Sequence, residues 1–302
     1  MQRSPETPAT PRLAAVEERL NREFPAGGAL DGRLFSRLID DAPEDLPAGT
    51  EIGRWRLGRR LGRGGSSTVY LAERVDGHHR LQAALKIVRA KCALVEQCRR
   101  EREILASLDH PAIVDLIEGD DIDDGRAWLA MEPVFGERID DHVRASRLAF
   151  GDRLAMFEEV CDAVSHVHER KLIHCDIKPS NLLVDRTGRP RLLDFGIAMK
   201  EGIRPRDRYL AMTPIYASPE QRAGGIVTTA SDIYQLGALL HVLAGDEAGL
   251  AAATGRLRGE TVELDGIVRR ATAHDPAHRF ATVAELRASV AELRSGTNRA
   301  DD

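Results

Sequence analysis

The chain has 302 residues, 42% of them hydrophobic and 30% charged, with a mean hydropathy of −0.31, a soluble globular composition long enough for one two-lobed domain or two modest ones. A formal net charge of −5 and a pI near 6.1 remove the overall basic balance that non-specific nucleic-acid binding favours, so no nucleic-acid partner is expected. Cys92, Cys98, Cys161 and Cys175 show no CxxC spacing and follow no apolar signal core, and the longest apolar run, 236–244, contains His241; the pattern suggests no zinc site, no disulfide framework and no membrane insertion, and fits a reduced, cytoplasmic protein.

Residues 1–50 form an extension broken by prolines at 5, 8, 11, 25, 43 and 47. Two pieces are expected to be helical. Thr10-Pro11 offers an N-cap and first-turn proline before Leu13, Val16 and Leu20, and Leu34, Phe35, Leu38 and Ile39 make a second apolar stripe. Such stripes either dock in cis on the following domain or bind a partner; the acidic stretch 40–45 is read as a solvated linker.

From Gly53 the pattern changes to strands: Trp55, Leu57, Arg59 and Leu61 alternate with polar neighbours, and 69–72 and 83–88 follow, with a turn at Asp76-Gly77. A helix is expected over 95–108, stopped by His110-Pro111, then short strands through 129–132. After Gly136 apolar helical periodicity covers 152–170, 230–244, 262–273 and 282–294. The reading is α+β: a small antiparallel β lobe with one main helix (51–134), a larger α-helical lobe (135–295) and a polar tail (296–302).

Chemistry-bearing residues sit at defined places in this frame. Gly62, Gly64 and Gly65, followed by Ser66 and Ser67, let backbone approach a ligand between two strands, although a G-x-G loop alone is also an ordinary hairpin. Lys86 follows on the next strand, where an ammonium reaches bound phosphates. It needs a carboxylate partner, and Glu96, Glu101 and Glu103 are available. Ile104, Leu105 and Leu108 define the buried helix face; Glu101 shares it, while Glu103 points about 200° away from Glu101, so Glu101 is the preferred partner and Glu103 the alternative.

The strongest signals are Ile173-His174-Cys175-Asp176-Ile177-Lys178-Pro179-Ser180-Asn181, then Asp194-Phe195-Gly196, then Thr213-Pro214-Ile215-Tyr216-Ala217-Ser218-Pro219-Glu220. With these motifs in order over about residues 52–294, the sequence resembles a eukaryotic-type Ser/Thr protein kinase of the kind found in bacteria. The resemblance implies the bilobal protein kinase fold and a phosphotransferase using ATP and Mg²⁺, with Mn²⁺ as a substitute. It makes Asp176 the group that orients the acceptor hydroxyl and takes its proton, Lys178 the γ-phosphate contact, and Asn181 and Asp194 the metal ligands. Lys86, paired with Glu101, would hold the α- and β-phosphates beneath the Gly62–Ser67 backbone. Met131 resembles the gatekeeper; Glu132 and Val134 would offer backbone groups to adenine, and Val69, Ala84 and Leu183 would sandwich its ring. Thr213 would face the substrate. Phe195, His174, Leu105 and Leu116 match an apolar stack between the lobes, Asp232 a buried anchor of the catalytic loop, and Glu220 with Arg279 a structural charge pair.

Three positions and one spacing depart from the family pattern: Ser67 stands for the third loop glycine, Cys175 for the arginine before the catalytic aspartate and Ser218 for an alanine, and only 47 positions separate Asp232 from Arg279. A non-transferring scaffold is disfavoured by the presence of Lys86, Asp176, Asn181 and Asp194 together. A small-molecule kinase is disfavoured by Lys178 and the 213–220 segment, which point to protein Ser/Thr acceptors. Autophosphorylation is expected. Without an arginine at 175 to pair with a loop phosphate, so is activity independent of activation-loop phosphorylation. Lys200, Arg204, Arg206 and Arg208 against Glu201 and Asp207 suggest an acidic or already phosphorylated substrate, the alternative being a merely solvated charged loop.

Overall fold

The computed structural model describes residues 45–64, 66–77, 81–201, 215–244 and 258–300. The two N-terminal stripes, the acidic linker up to Glu44, Gly65, Arg204, Arg206, Arg208 and Thr213 lie outside these residues.

Alternating burial builds the first layer. Strands β1 (Glu51–Ile52), β2 (Trp55–Arg63), β3 (Ser67–Arg74), β4 (Gln82–Val88), β5 (Leu116–Asp121) and β6 (Ala127–Met131) form an antiparallel sheet in the order β1-β2-β3-β4-β6-β5. Trp55, Leu57, Tyr70, Ala72, Leu85, Ile87, Trp128 and Ala130 pack together on one face. The opposite face carries Val88, Ala127 and Leu129, covered by Cys98 of helix α1 (Cys92–Ala106). Alternation in β2 fails beyond Leu57: Leu61 is 39% exposed, because the β2–β3 register shifts between Leu57 and Arg60 and again between Arg60 and Gly62. The first helix begins at Cys92, three residues earlier than expected.

Below the sheet the chain is helical: α2 (Ile139–Ala145), α3 (Phe150–Glu169), α4 (Pro219–Arg222), α5 (Thr229–Ala244), α6 (Arg258–Ala271) and α7 (Val283–Ala300). Leu154, Phe157, Val160, Val164 and Val167 of α3 form a stripe at helical spacing, buried with Ile233, Leu236, Leu240 and Leu243 of α5 and Leu286, Val290 and Leu293 of α7. At roughly 2 kcal/mol per buried aliphatic side chain, this stripe dominates the cohesion of the larger lobe. Helices α2 and α4, too short to show periodicity, were not visible in the sequence pattern.

Two small ladders carry the loops between the layers. Strands β7 (Gly136–Arg138), β9 (Leu182–Asp185) and β10 (Pro190–Leu192) pair in the order β10-β9-β7, and β8 (Leu172–Ile173) pairs with β11 (Met199–Lys200). Gly136 is fixed by contact: a methyl group built there would stand 1.9 Å from Val184 O. The result is an α+β bilobal protein kinase fold, a curled antiparallel sheet with one main helix above a helical lobe.

Candidate active site

Strand register decides which side chains share the inner face of the sheet. Val69 pairs with Lys86, and Lys86 with Leu129; one step along, Ala84 pairs with Met131. Directly paired residues project to the same side, and positions two apart in one strand do likewise, so Val69, Ala84, Lys86 and Met131 share one face. Gly62 lies opposite Val69. On β9, Leu182 and Val184 are buried in the lower core while Leu183, between them, is only partly buried and turned to the other face. Val134 is partly buried against that core.

Lys86 joins three elements. Its Nζ donates to Glu101 Oε1 at 2.7 Å and Oε2 at 2.8 Å, from β4 to α1, and to Asp194 Oδ1 at 2.9 Å in the segment after β10. Glu103 is exposed and makes no part of this cluster. Burial opposes charge at all three groups. At Lys86 it is outweighed by Asp194 and Glu101, which hold the ammonium well above its ordinary range. Burial dominates at Glu101, pushed up to about 7 despite the Lys86 charge. At Asp194 the Lys86 ammonium and the Gly196 N–H outweigh desolvation and hold the carboxyl well below its ordinary range.

A second cluster forms where β8 runs into the loop 174–181. Asp176 Oδ2 accepts from Lys178 Nζ at 2.7 Å and Asn181 Nδ2 at 3.0 Å, which leaves Oδ1 as its second acceptor. Asn181 Nδ2 also donates to Asp176 O at 2.8 Å; with its nitrogen committed, the amide offers its oxygen to anything else. Leu193 N donates to Asn181 O at 3.0 Å, setting the Asp194 segment beside this loop.

The loop is held from below. Asp232 is fully buried and accepts from His174 N and Cys175 N, both at 2.8 Å, while His168 Nε2 lies 2.8 Å from its Oδ2. Gln235 accepts from Ile177 N at 2.7 Å and, with Gln221, donates to Cys175 O. These contacts keep Cys175 at φ 69°, a left-handed backbone that a non-glycine residue adopts only when its surroundings impose it. His174 Nδ1 accepts from Asp176 N at 3.2 Å and its ring meets Phe195 edge-on at 4.7 Å. Burial lowers its pKa, so the ring is neutral, with its proton on Nε2. Leu105 and Phe195 are buried in the same core, with Leu116 packed on it. His166 faces Arg170 and Asp109 N, away from His168, so the two histidines do not converge. Gln221 and Gln235 were missed in the sequence; Gln235, three residues after Asp232 on one helix, carried a local signal, whereas Gln221 carried none.

The donor set suits a nucleotide with a hard cation. A Cβ on Gly62 would meet nothing within 4 Å and one on Gly64 only Ser67 O at 3.7 Å, so the fold itself does not require glycine there and the loop backbone is open to approach. Among the described residues no three His, Cys, Asp or Glu side chains converge as a metal cage. Asn181 and Asp194 instead offer two hard oxygen donors, as suits Mg²⁺, which keeps waters and phosphate oxygens in its remaining positions.

Sheet, helical lobe and these two clusters define a protein kinase domain. The sequence model described as protein kinase domain matches residues 55–283, and the chain belongs to this family. It is 34% identical over 265 residues to the serine/threonine-protein kinase PrkC of Bacillus subtilis (strain 168), covering 79% of this chain and 40% of that protein. Its identity to the serine/threonine-protein kinase PknJ of Mycobacterium tuberculosis (strain ATCC 25618 / H37Rv) is 33% over 283 residues, 83% of this chain and 47% of that one. With PknB of Mycobacterium leprae (strain TN) it is 30% over 271 residues, 80% and 43%. The chain thus spans less than half the length of these curated relatives. No helix among the described residues is long and apolar enough to cross a membrane.

Proposed function

We propose that this chain transfers the γ-phosphoryl group of ATP, with Mg²⁺ or Mn²⁺, to serine and threonine hydroxyls of proteins, its own included. The observation that carries the reading is Lys86 closed onto both Glu101 and Asp194, which joins sheet, helix and the metal-ligand segment in one charged cluster. The names of the relatives point the same way.

Bound Mg-ATP supplies the transferable phosphoryl group and the divalent charge that neutralises it. Lys86, oriented by Glu101, holds the α- and β-phosphates. Asp194 and the Asn181 oxygen hold the cation. The backbone of Gly62, Gly64 and Ser67 covers the phosphates and excludes water, while Val69, Ala84, Met131 and Leu183 line the slot for the base and the Glu132 and Val134 backbone reads its edge. Asp176, with Oδ2 tied to Lys178 and Asn181, receives the acceptor proton on Oδ1. Lys178 stays within reach of the transferred group.

Cys175 is buried and carries no guanidinium to pair with a phosphate, which supports activity without a phosphorylated loop. The cations at 200–208 favour acidic or primed acceptors. Labelled ATP and Mg²⁺ with wild type beside Asp176→Asn, followed by phosphosite mapping, tests the reading: wild type labels Ser and Thr and the variant does not. Equal labelling of the two would refute it.

A further inference from the structure

Glu101 is buried on α1 and shares one ammonium with Asp194. Because the Lys86–Glu101 pair runs from α1 to β4, its geometry depends on where α1 sits against the sheet.

The hold comes from the helix flank. Arg102, one residue after Glu101 and so about 100° around the helix, donates from Nη1 to Gly119 O at 2.8 Å. β5 is the edge strand of the sheet, and edge carbonyls lack a strand partner. Gly119 is required first by the sheet, where a methyl group would stand 2.7 Å from Trp128 O and 2.9 Å from Leu129 Cδ2, and its bareness also lets Arg102 Cδ, 3.2 Å from that position, lie close. Arg99, one turn earlier, forks onto Asp121 at the end of β5, with Nε 3.0 Å from Oδ2. At the far end of the helix, Arg170 Nε donates to Ser107 O at 2.9 Å.

We propose that Arg102, seated in the slot left by Gly119 and seconded by Arg99, is a positioning residue that keeps α1 docked on β5 and so holds Glu101 on Lys86 without help from a loop phosphate. The catalytic consequence rests on the kinase reading; the docking itself does not. Exposed Arg99–Asp121 contributes little alone, whereas the part-buried charged hydrogen bond of Arg102 is the strong member.

Two cysteines of the chain report the outcome directly. Cys98 lies three residues before Glu101 on the same face of α1, packed on Val88, Ala127 and Leu129; burial and the Glu101 carboxylate push its thiol up to about 12, so it is inert while α1 is docked. Cys161 is fully buried in α3, in the other lobe, and opens only on wider unfolding. Iodoacetamide labelling of the full chain, read by peptide mass spectrometry, is compared for wild type, Arg102→Met and Arg102→Lys. Arg102→Met should speed alkylation of Cys98 about tenfold while Cys161 is unchanged, the loss expected for one charged hydrogen bond. In parallel kcat should fall more than KM for ATP changes, and Arg102→Lys should restore both readouts. A Cys98 rate in Arg102→Met within about twofold of wild type, or Cys98 and Cys161 accelerating together, overturns the proposal. A wild type that transfers no phosphate strikes the kinase reading alone, since the ratio of the two alkylation rates still decides the anchor.

Discussion

At the scale of single residues, the site is governed by one ammonium between two carboxylates of unequal character. Asp194 is held ionised, while Glu101 is pushed up to about 7 by burial. Because the folded pKa of Glu101 lies above its ordinary 4.5, the folded state binds its proton more tightly. Acidification through 7 therefore costs the ion pair but not stability at this group; the stability it contributes is present below 4.5 and lost as pH rises through 7. Transfer rates measured against pH should show an acid limb with a midpoint near 7 that is absent from Glu101→Gln, whose rate is low throughout. An identical acid limb in both proteins would assign it to another group. The choice of Glu101 over Glu103 was open to helical phase alone, since Leu105 and Leu108 mark the buried stripe. Arg102 and Gln221 were not legible, because their partners, Gly119 O and Cys175 O, lie 17 and 46 residues away and no local pattern announces them.

Elements carry the next level of the account. Helix α4 opens with Ser218 and Gln221 capping each other's backbone N–H, and its Glu220 reaches Arg279 just after the turn Pro276–His278. The Arg279 guanidinium is fully buried and also donates to Ala230 O and Ala273 O, so the pair ties three segments together. Desolvation opposes the Glu220 charge, but hydrogen bonds from Arg279 and Ser231 outweigh it and hold the carboxyl down to about 2. The sign is opposite to that at Glu101: stability from Glu220 is present above 4.5 and lost as pH falls through 2. Urea unfolding at pH 7 and pH 3 should show wild type losing about 2 kcal/mol more than Glu220→Gln between the two conditions; equal losses would mean that the pair does not drive acid sensitivity. The long helices were readable from their apolar stripes. β7 was not, because Gly136, Glu137 and Arg138 are all exposed and give no alternation; close backbone approach to β9, possible only at a glycine, places the strand.

On the scale of the whole molecule, Lys86, Glu101 and Asp194 bind sheet, helix and lower lobe into one arrangement, and the β8–β11 ladder fixes the start of the segment that follows Gly196. Motifs in order made the two-lobed fold legible from sequence; the contacts holding the catalytic loop, Asp232 apart, were not, because they depend on which polar side chains of α4 and α5 face it. On the proposed reading, Arg102 stakes the α1 flank to β5 and Cys175 offers no guanidinium to a loop phosphate. Phosphatase-treated enzyme should retain its full rate on an exogenous substrate, and a large fall traced to a phosphate between Ile197 and Ala217 would contradict this. The central claim, that this cluster transfers phosphate, is tested most directly by incorporation of label from γ-labelled ATP with Mg²⁺ into protein by wild type, Lys86→Met and Asp194→Asn, each first shown folded by its melting curve. Wild type should label itself and added protein on serine and threonine, with both variants lower by about three orders of magnitude, since charge stabilisation supplies most of the rate; wild-type incorporation no higher than that of folded Asp194→Asn would contradict the account.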